Sequence, residues 1–263
     1  RNDYQGSRKL KGKKAVISGG DSGIGQAVAV HFAREGADVA IIYKESDDDA
    51  RETQKLVEKE GQKCILLKGD ISKKTFRKNT LEKIAKEWKT IDILVNNAGN
   101  AHGLDPIQSG SLEDWDAMMD INVKGLLYVS HEVIPIMIAR KSGIIVNIGS
   151  IAGKEVYPNG NVYCASKAAV EALSAGMRQD LNAFGIKVSN VAPGAVNTEF
   201  SNVRFKGDSA KAASVYAGFE PLVAEDVADL IRYIVTAPAH VNIADVTILP
   251  TAQASAFQIL RKN

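Results

Sequence analysis

Seven short runs rich in Val and Ile recur along the chain, each parted from the next by a stretch of helical periodicity, and this alternation constrains the fold more than any other feature. The runs are KAVISG (14–19), DVAIIY (38–43), KCILLKG (63–69), IDILVNN (91–97), GIIVNIGS (143–150), IKVSNVAPG (186–194) and DVTILP (245–250). Most close on Gly, Asn or Pro, residues that end strands. Between them lie segments such as GQAVAVHFAREG, KNTLEKIAKEW and AEDVADLIRYIV, with apolar residues at three- and four-residue steps. Strands that are apolar almost throughout need cover on both faces, and strands alternating with helices need crossovers. The expected fold is therefore α/β, a doubly wound parallel sheet of about seven strands with helices on both faces.

The 263 residues carry no repeat or linker, so one domain over 1–263 is expected, with an N-terminal arm at 1–12 and a C-terminal tail at 250–263. The stretch 197–223 is too long for a crossover loop and reads as a functional flap with short helices of its own. A net charge of +2, spread along the chain, gives no basic stripe for nucleic acid, and the expected partner is a small molecule. Cys64 and Cys164 lack metal or redox spacing, which fits a reducing cytoplasm, and no metal is expected. The apolar runs read as too short to span a bilayer, and the opening RNDYQGSRKL lacks an apolar signal core.

The segment SGGDSGIG (18–25) follows the first strand and opens the first helix. Gly19, Gly23 and Gly25, with Asp21, Ser22 and Ile24 between them, give a tight turn, close backbone approach to a pyrophosphate, and close packing of helix on strand. This is a Rossmann-type cofactor loop, spaced G-x-x-x-G-x-G. At the end of the second strand, an acid would bind the adenine ribose hydroxyl of NAD and a base the 2′-phosphate of NADP. Tyr43 and Lys44 stand there, followed by Glu45. Lys44 leans towards NADP, while Asp21 and Glu45 would repel its extra phosphate, so NAD(P) is expected with NADP slightly preferred.

NVYCASKAAV (161–170) places Tyr163 and Lys167 four residues apart, on one helix face about a turn apart. A nearby ammonium favours phenolate and lowers the phenol pKa, so Tyr163 reads as a usable acid/base. Singly, Ser150 reads as a turn serine or cap and Asn122 as the polar group of a helix kink. Together with the glycine loop, Asp70, NNAG (96–99), Asn122 in INVKG, Ser150 in NIGS and PGAVNT (193–198), the ordered set resembles the short-chain dehydrogenases/reductases over nearly the whole chain.

That resemblance implies an oxidoreductase with Asn122, Ser150, Tyr163 and Lys167 as its catalytic residues. Ser150 would hold the substrate oxygen, Asn122 position a water in a proton relay, and Lys167 hold the nicotinamide ribose. Asp70 and Ile71 would meet the adenine; Asn97, Ala98 and Gly99 would line the cofactor; and Pro193, Gly194, Val196 and Thr198 would face the carboxamide.

Residues 96–263, through the flap NTEFSNVRFKGDSAKAASVYAGFEPL and the tail, resemble the branch acting on 3-hydroxy acids of the serine, allo-threonine or 3-hydroxypropionate type. Arg204 is the expected fork for such a carboxylate, with Lys206 second. The first ninety residues resemble instead the sugar- or polyol-type bacterial members with an N-terminal arm, and lack the basic pair usual after the second strand in the hydroxy-acid branch. A recombined chain with a seam near 75–95 would explain this. A neutral sugar, polyol or 3-oxoacyl substrate, and a non-catalytic cofactor-binding regulator, stay open as other readings. The family resemblance further implies a homotetramer built through two long helices, about 112–140 and 161–184.

Overall fold

Each apolar run forms a strand, and each strand stops at or just before the residues that punctuate it. In the computed structural model, which describes residues 4–262 with the side chains of 77–81, 85 and 86 left aside, the strands are β1 (Lys14–Ser18), β2 (Asp38–Tyr43), β3 (Cys64–Lys68), β4 (Ile93–Asn96), β5 (Gly143–Ile148), β6 (Ile186–Pro193) and β7 (Asp245–Ile248). They form one parallel sheet in the order β3-β2-β1-β4-β5-β6-β7. Residues 1–3 of the expected arm and residue 263 of the tail lie outside the described residues.

Because β1 pairs with β2 on one side and β4 on the other, its residues are sealed laterally, and the faces decide burial: Ala15, Val16 and Ile17 are wholly inaccessible. One face is covered by α1 (Gly23–Arg34), α2 (Asp47–Lys59) and α9 (Ala224–Thr236), whose Val28, Phe32, Val57 and Ile231 pack on Ile17, Ile41 and Val95. The other is covered by α3 (Lys74–Glu87), α5 (Leu126–Arg140) and α6 (Asn161–Leu181), through Leu126, Val133, Met137, Val170 and Met177 against Val16, Leu94 and Ile145. Each such buried aliphatic side chain contributes about 1.5–3 kcal/mol. The seam expected near 75–95 falls largely on α3, part of whose side chains lie outside the description.

The long helical pattern from 112 is one continuous rod made of three pieces: α4 (Leu112–Met119), a π-helical turn (Asp120–Gly125) and α5. Ser111 caps it by accepting from the Asp114 amide, with Glu113 and Asp114 in the first turn, where the helix dipole favours acids. Continuity corrects one expectation from the sequence. Leu112–Arg140 is long and apolar enough to cross a membrane by length and composition, with mean hydropathy 1.2, because the π turn joins runs that look separate. Its Leu126, Val129, Val133 and Met137 are packed into the core beside the sheet. The flap carries the expected short helices, α7 (Phe200–Arg204) and α8 (Ser209–Ser214).

The arm is held by a single buried acid. Glu35, 1% exposed at the end of α1, accepts from the Ser7 amide (3.0 Å), the Ser7 hydroxyl (3.0 Å) and the Lys9 amide (3.1 Å), with Arg232 of α9 at 3.7 Å. Tyr4 lies under the Arg34 and Arg232 guanidinium groups, 5.0 and 4.9 Å from their carbons, and edge-on to His31. Glu35→Ala leaves these donors and Arg232 short of an anion inside the fold, and is expected to lower the unfolding free energy by about 2–4 kcal/mol in a denaturant titration.

Candidate active site

The strand order reverses between β1 and β4, and in open α/β sheets that point marks the ligand crevice. The turn after β1 is tied there to the segment after β4. The Ser18 hydroxyl accepts from the Asn97 and Ala98 amides (both 3.1 Å), and the Asn97 side chain donates back to the carbonyls of Ser18 (3.1 Å) and Gly19 (2.8 Å). Gly19 has φ +61°, and a Cβ on it would lie 3.0 Å from the Ala98 Cα; a Cβ on Gly25 would collide with the Gly19 carbonyl. The resulting cradle opens on the N-terminus of α1, where the Ser22 side chain makes no capping bond and the first turn holds no acid. Free helix N–H donors without a competing carboxylate fit a bound pyrophosphate.

A cleft of about 620 Å³ runs from this cradle across the carboxyl ends of the strands. Asp21, Gly23, Ile24, Tyr43, Lys44, Asp70, Ile71, Asn97, Ala98, Gly99, Pro193, Val196 and Thr198 line it, as do Ser150, Tyr163 and Lys167. At its far end Lys44 Nζ stands 3.3 Å from Glu45 and 3.6 Å from Asp70. Burial pushes the Asp70 carboxyl up, but two bonds from Ser72 and the Lys44 charge outweigh it and hold it below the usual range. The Tyr43 hydroxyl donates to Asp47 (2.8 Å). Burial raises the Asp21 carboxyl, and Asp49 adds to this against a backbone hydrogen bond.

At the near end, β5 delivers Ser150 and α6 delivers Tyr163 and Lys167. Ser150 is extended, caps the following turn by accepting from the Ala152 amide (3.1 Å), and stands near enough to Tyr163 to favour its phenolate. Lys167 is 6% exposed; its ammonium donates to the Ile148 carbonyl (2.9 Å) and lies 6.0 Å from the centre of the Tyr163 ring. Burial lowers its pKa to about 8. Beside Tyr163 the flap brings in Arg204, whose guanidinium carbon is 5.5 Å from the ring centres of both Tyr163 and Tyr157.

The family model for short chain dehydrogenases matches residues 13–209. The chain belongs to this family. It is thereby an NAD(P)-dependent oxidoreductase with the Rossmann-type sheet described above. The NADP-dependent 3-hydroxy acid dehydrogenase of Escherichia coli (strain K12) is 38% identical over 242 residues, covering 92% of this chain and 96% of that protein. Its namesake in Schizosaccharomyces pombe is 36% identical over 256 residues, covering 97% and 99%. Among solved structures, the closed form of serine dehydrogenase complexed with NADP+ shares 37% identity at a TM-score of 0.86, over 95% of this chain and all of that one. These likenesses extend well into the first ninety residues as well as the rest.

Against this short chain dehydrogenase frame, several sequence expectations change. The phenol of Tyr163 is raised, not lowered: burial dominates, Tyr157 adds to it, and only Ser150 and the Arg204 charge oppose. The Lys167 ammonium donates to the Ile148 carbonyl and lies 6.0 Å from the centre of the ring. Asn122, 2% exposed in the π turn, lies beneath the cleft rather than in it. Both its amide hydrogens are committed, to the Asn100 carbonyl and the Ser166 hydroxyl, and its oxygen accepts from the Asn100 amide, so its side chain braces the loop that carries Asn100. Gly25 and Gly194 also stay out of the cleft lining; Gly194 is overlaid by the Gln253 side chain. Lys206 is spent on Asp114 at 2.9 Å.

Sequence reading missed Asn100, His102 and Phe200 in the cleft wall and Tyr157 against Arg204. No spacing marks them, since loops carry Asn100, His102 and Tyr157 and Phe200 opens the five-residue α7; Tyr157's position on the loop joining Ser150 to Tyr163 is the only signal. Because Lys167 is depressed to about 8 from an ordinary 10.5, the unfolded chain holds a proton between these values that the folded one has released. The stability of the wild type relative to Lys167→Met is therefore expected to rise with pH from about 8 to 10.5 and to be flat below, in denaturant melts across that range.

Proposed function

We propose that the protein interconverts a short 3-hydroxy acid, of the serine, allo-threonine or 3-hydroxypropionate type, with the matching 3-oxo acid or semialdehyde, with NADP preferred to NAD. The observation that carries this reading is Arg204, a planar fork suited to a carboxylate, set 5.5 Å from the ring of Tyr163. The names of the relatives, two of them 3-hydroxy acid dehydrogenases and one a serine dehydrogenase, support it.

Bound in the cleft, the nicotinamide of the cofactor supplies the acceptor or donor of hydride. Tyr163 then takes the proton of the 3-hydroxyl during oxidation and returns it during reduction, at its phenolic oxygen. Ser150, beside that phenol in the cleft wall, holds the substrate oxygen against it. Lys167, in the cleft wall, would hold the nicotinamide ribose. Arg204 takes the carboxylate and so sets which carbon lies against the base. Asn122 acts at a distance, by fixing the loop that carries Asn100 and His102.

Removing the phenolic proton alone should stop the reaction: Tyr163→Phe is expected to lose turnover by at least 100-fold while still binding cofactor, measured by steady-state rates and cofactor titration. Arg204→Met is expected to raise KM for 3-hydroxypropionate at least tenfold and to leave KM for its methyl ester within twofold. Equal effects on acid and ester would refer the enzyme to neutral substrates, and cofactor binding without turnover by the wild type would make it a regulator.

The preference for NADP rests on Lys44. Its neighbours do not block it: Lys44 and Glu45 are 56% and 81% exposed, and such a pair is worth less than about 1 kcal/mol, little against a dianionic phosphate. Lys44→Ala is expected to weaken NADP about tenfold, roughly 1.4 kcal/mol, and NAD by less than twofold, read from the two dissociation constants. The same reading takes the enzyme as a cytoplasmic homotetramer. Two free, buried cysteines suit a reducing compartment. Leu112 and Leu127, exposed along the long helix, suit a helix-to-helix interface.

A further inference from the structure

Two cations face the ring of Tyr163, and they are tethered differently. Lys167 belongs to α6, as Tyr163 does, and spends its ammonium on Ile148. Arg204 ends α7, in the flap, with its guanidinium carbon 5.5 Å from the centre of the Tyr163 ring, where its charge favours the phenolate. It is seated from three sides. Its Nε donates to the Gly103 carbonyl (3.3 Å), its own carbonyl accepts from the Gly103 amide (3.1 Å), and its guanidinium lies over the Tyr157 ring, 5.5 Å from its centre. Tyr157 in turn is wedged where Gly160 has no Cβ, since a Cβ there would collide with its ring.

We propose that Arg204 is a positioning residue for the base: seated between Tyr157 and Tyr163, it makes proton transfer at the phenol depend on the docked flap, and Tyr157 is the residue that seats it. This deepens the proposed function and rests on Tyr163 being its acid/base. The other groups facing Tyr163 sit mostly on other elements, Ser150 after β5, Tyr157 before α6, and Cys164 and Lys167 within α6, while the flap also sets the apolar Phe200 ring 5.8 Å from it. His102 and Asp114 share the small chamber beside Tyr163 and Arg204. Of these, burial and Tyr157 disfavour the phenolate and Ser150 favours it. Docking the flap sets the Arg204 cation against the Tyr163 ring, so the phenolate forms more readily when substrate is enclosed than in an open site.

A neutral substrate separates this role from carboxylate binding. With methyl 3-hydroxypropionate and saturating NADP+, the pH profile of kcat for Arg204→Met is expected to move its acid-side midpoint up by about one unit, with about tenfold lower kcat on that limb. Arg204→Lys should recover part of the shift. Tyr157→Leu should shift the midpoint as Arg204→Met does, whereas Tyr157→Phe, which keeps the stacking face, should stay within about 0.3 units of wild type. Thermal melts and cofactor titrations exclude variants that misfold, and the two Tyr157 variants together carry the test if Arg204→Met does. An unmoved midpoint in both Arg204→Met and Tyr157→Leu, with Tyr163→Phe inactive, overturns this inference alone. Turnover by Tyr163→Phe overturns the reading of Tyr163 on which it rests.

Discussion

The knot between the turn after β1 and the segment after β4 is the constraint on which the rest depends. Ser18 and Asn97 exchange hydrogen bonds across the point where the strand order reverses, and Gly25 lets α1 close down on the Gly19 carbonyl. That contact aims the uncapped end of α1 at the crevice and holds Ala98 and Gly99 as its floor. A larger residue at Gly25 would lift the helix, and with it both the phosphate cradle and the face that packs on α9.

A second layer of buried polar groups stiffens the chemistry from below. Asn96 donates to Ser130 and Asn147, Asn147 donates to Ser174, and Asn122 clamps Asn100 while bonding Ser166. These bonds join β4, β5, α5, α6 and the π turn in a region where water cannot replace a lost partner, so each member is costly to disturb. The ends of β4, β5 and α6 are thereby held in fixed relation, and these ends carry the cofactor floor, Ser150 and Tyr163. The flap lies outside this rigid set and reaches it through Arg204 on Gly103 and Tyr157 and through Arg204 and Phe200 on the Tyr163 ring. A rigid floor and a separately tethered roof suit an enzyme that must hold a cofactor tightly and exchange a small substrate.

The tail adds a further tie. The Gln253 side chain accepts from the Ala195 amide and lies over Gly194, and Arg261 bonds the carbonyls of Val215 and Ala217 at the end of α8. One short segment thus braces both the loop after β6 and the outer half of the flap. Nothing in its composition marks it for this, because its partners are backbone groups whose positions are set by distant elements.

The sequence by itself determined the sheet, the helices that cover it, the glycine turn and the Tyr163/Lys167 pair, because each is encoded by local periodicity or by residues within one helical turn. Even the flap at 197–223 was legible, as a stretch that kept neither period. Only the tertiary structure decided the electrostatics of the pair. Four residues of spacing put Lys167 on the same helix face as Tyr163, but the direction of its ammonium is set by Ile148 on another element, and the burial that raises the phenol is the sum of everything packed around it. Likewise Asn122 was visible as a special polar residue, while its side-chain partners, 22 and 44 positions away, were not. Where a charge ends up relative to another depends on long-range packing, and no local pattern records it.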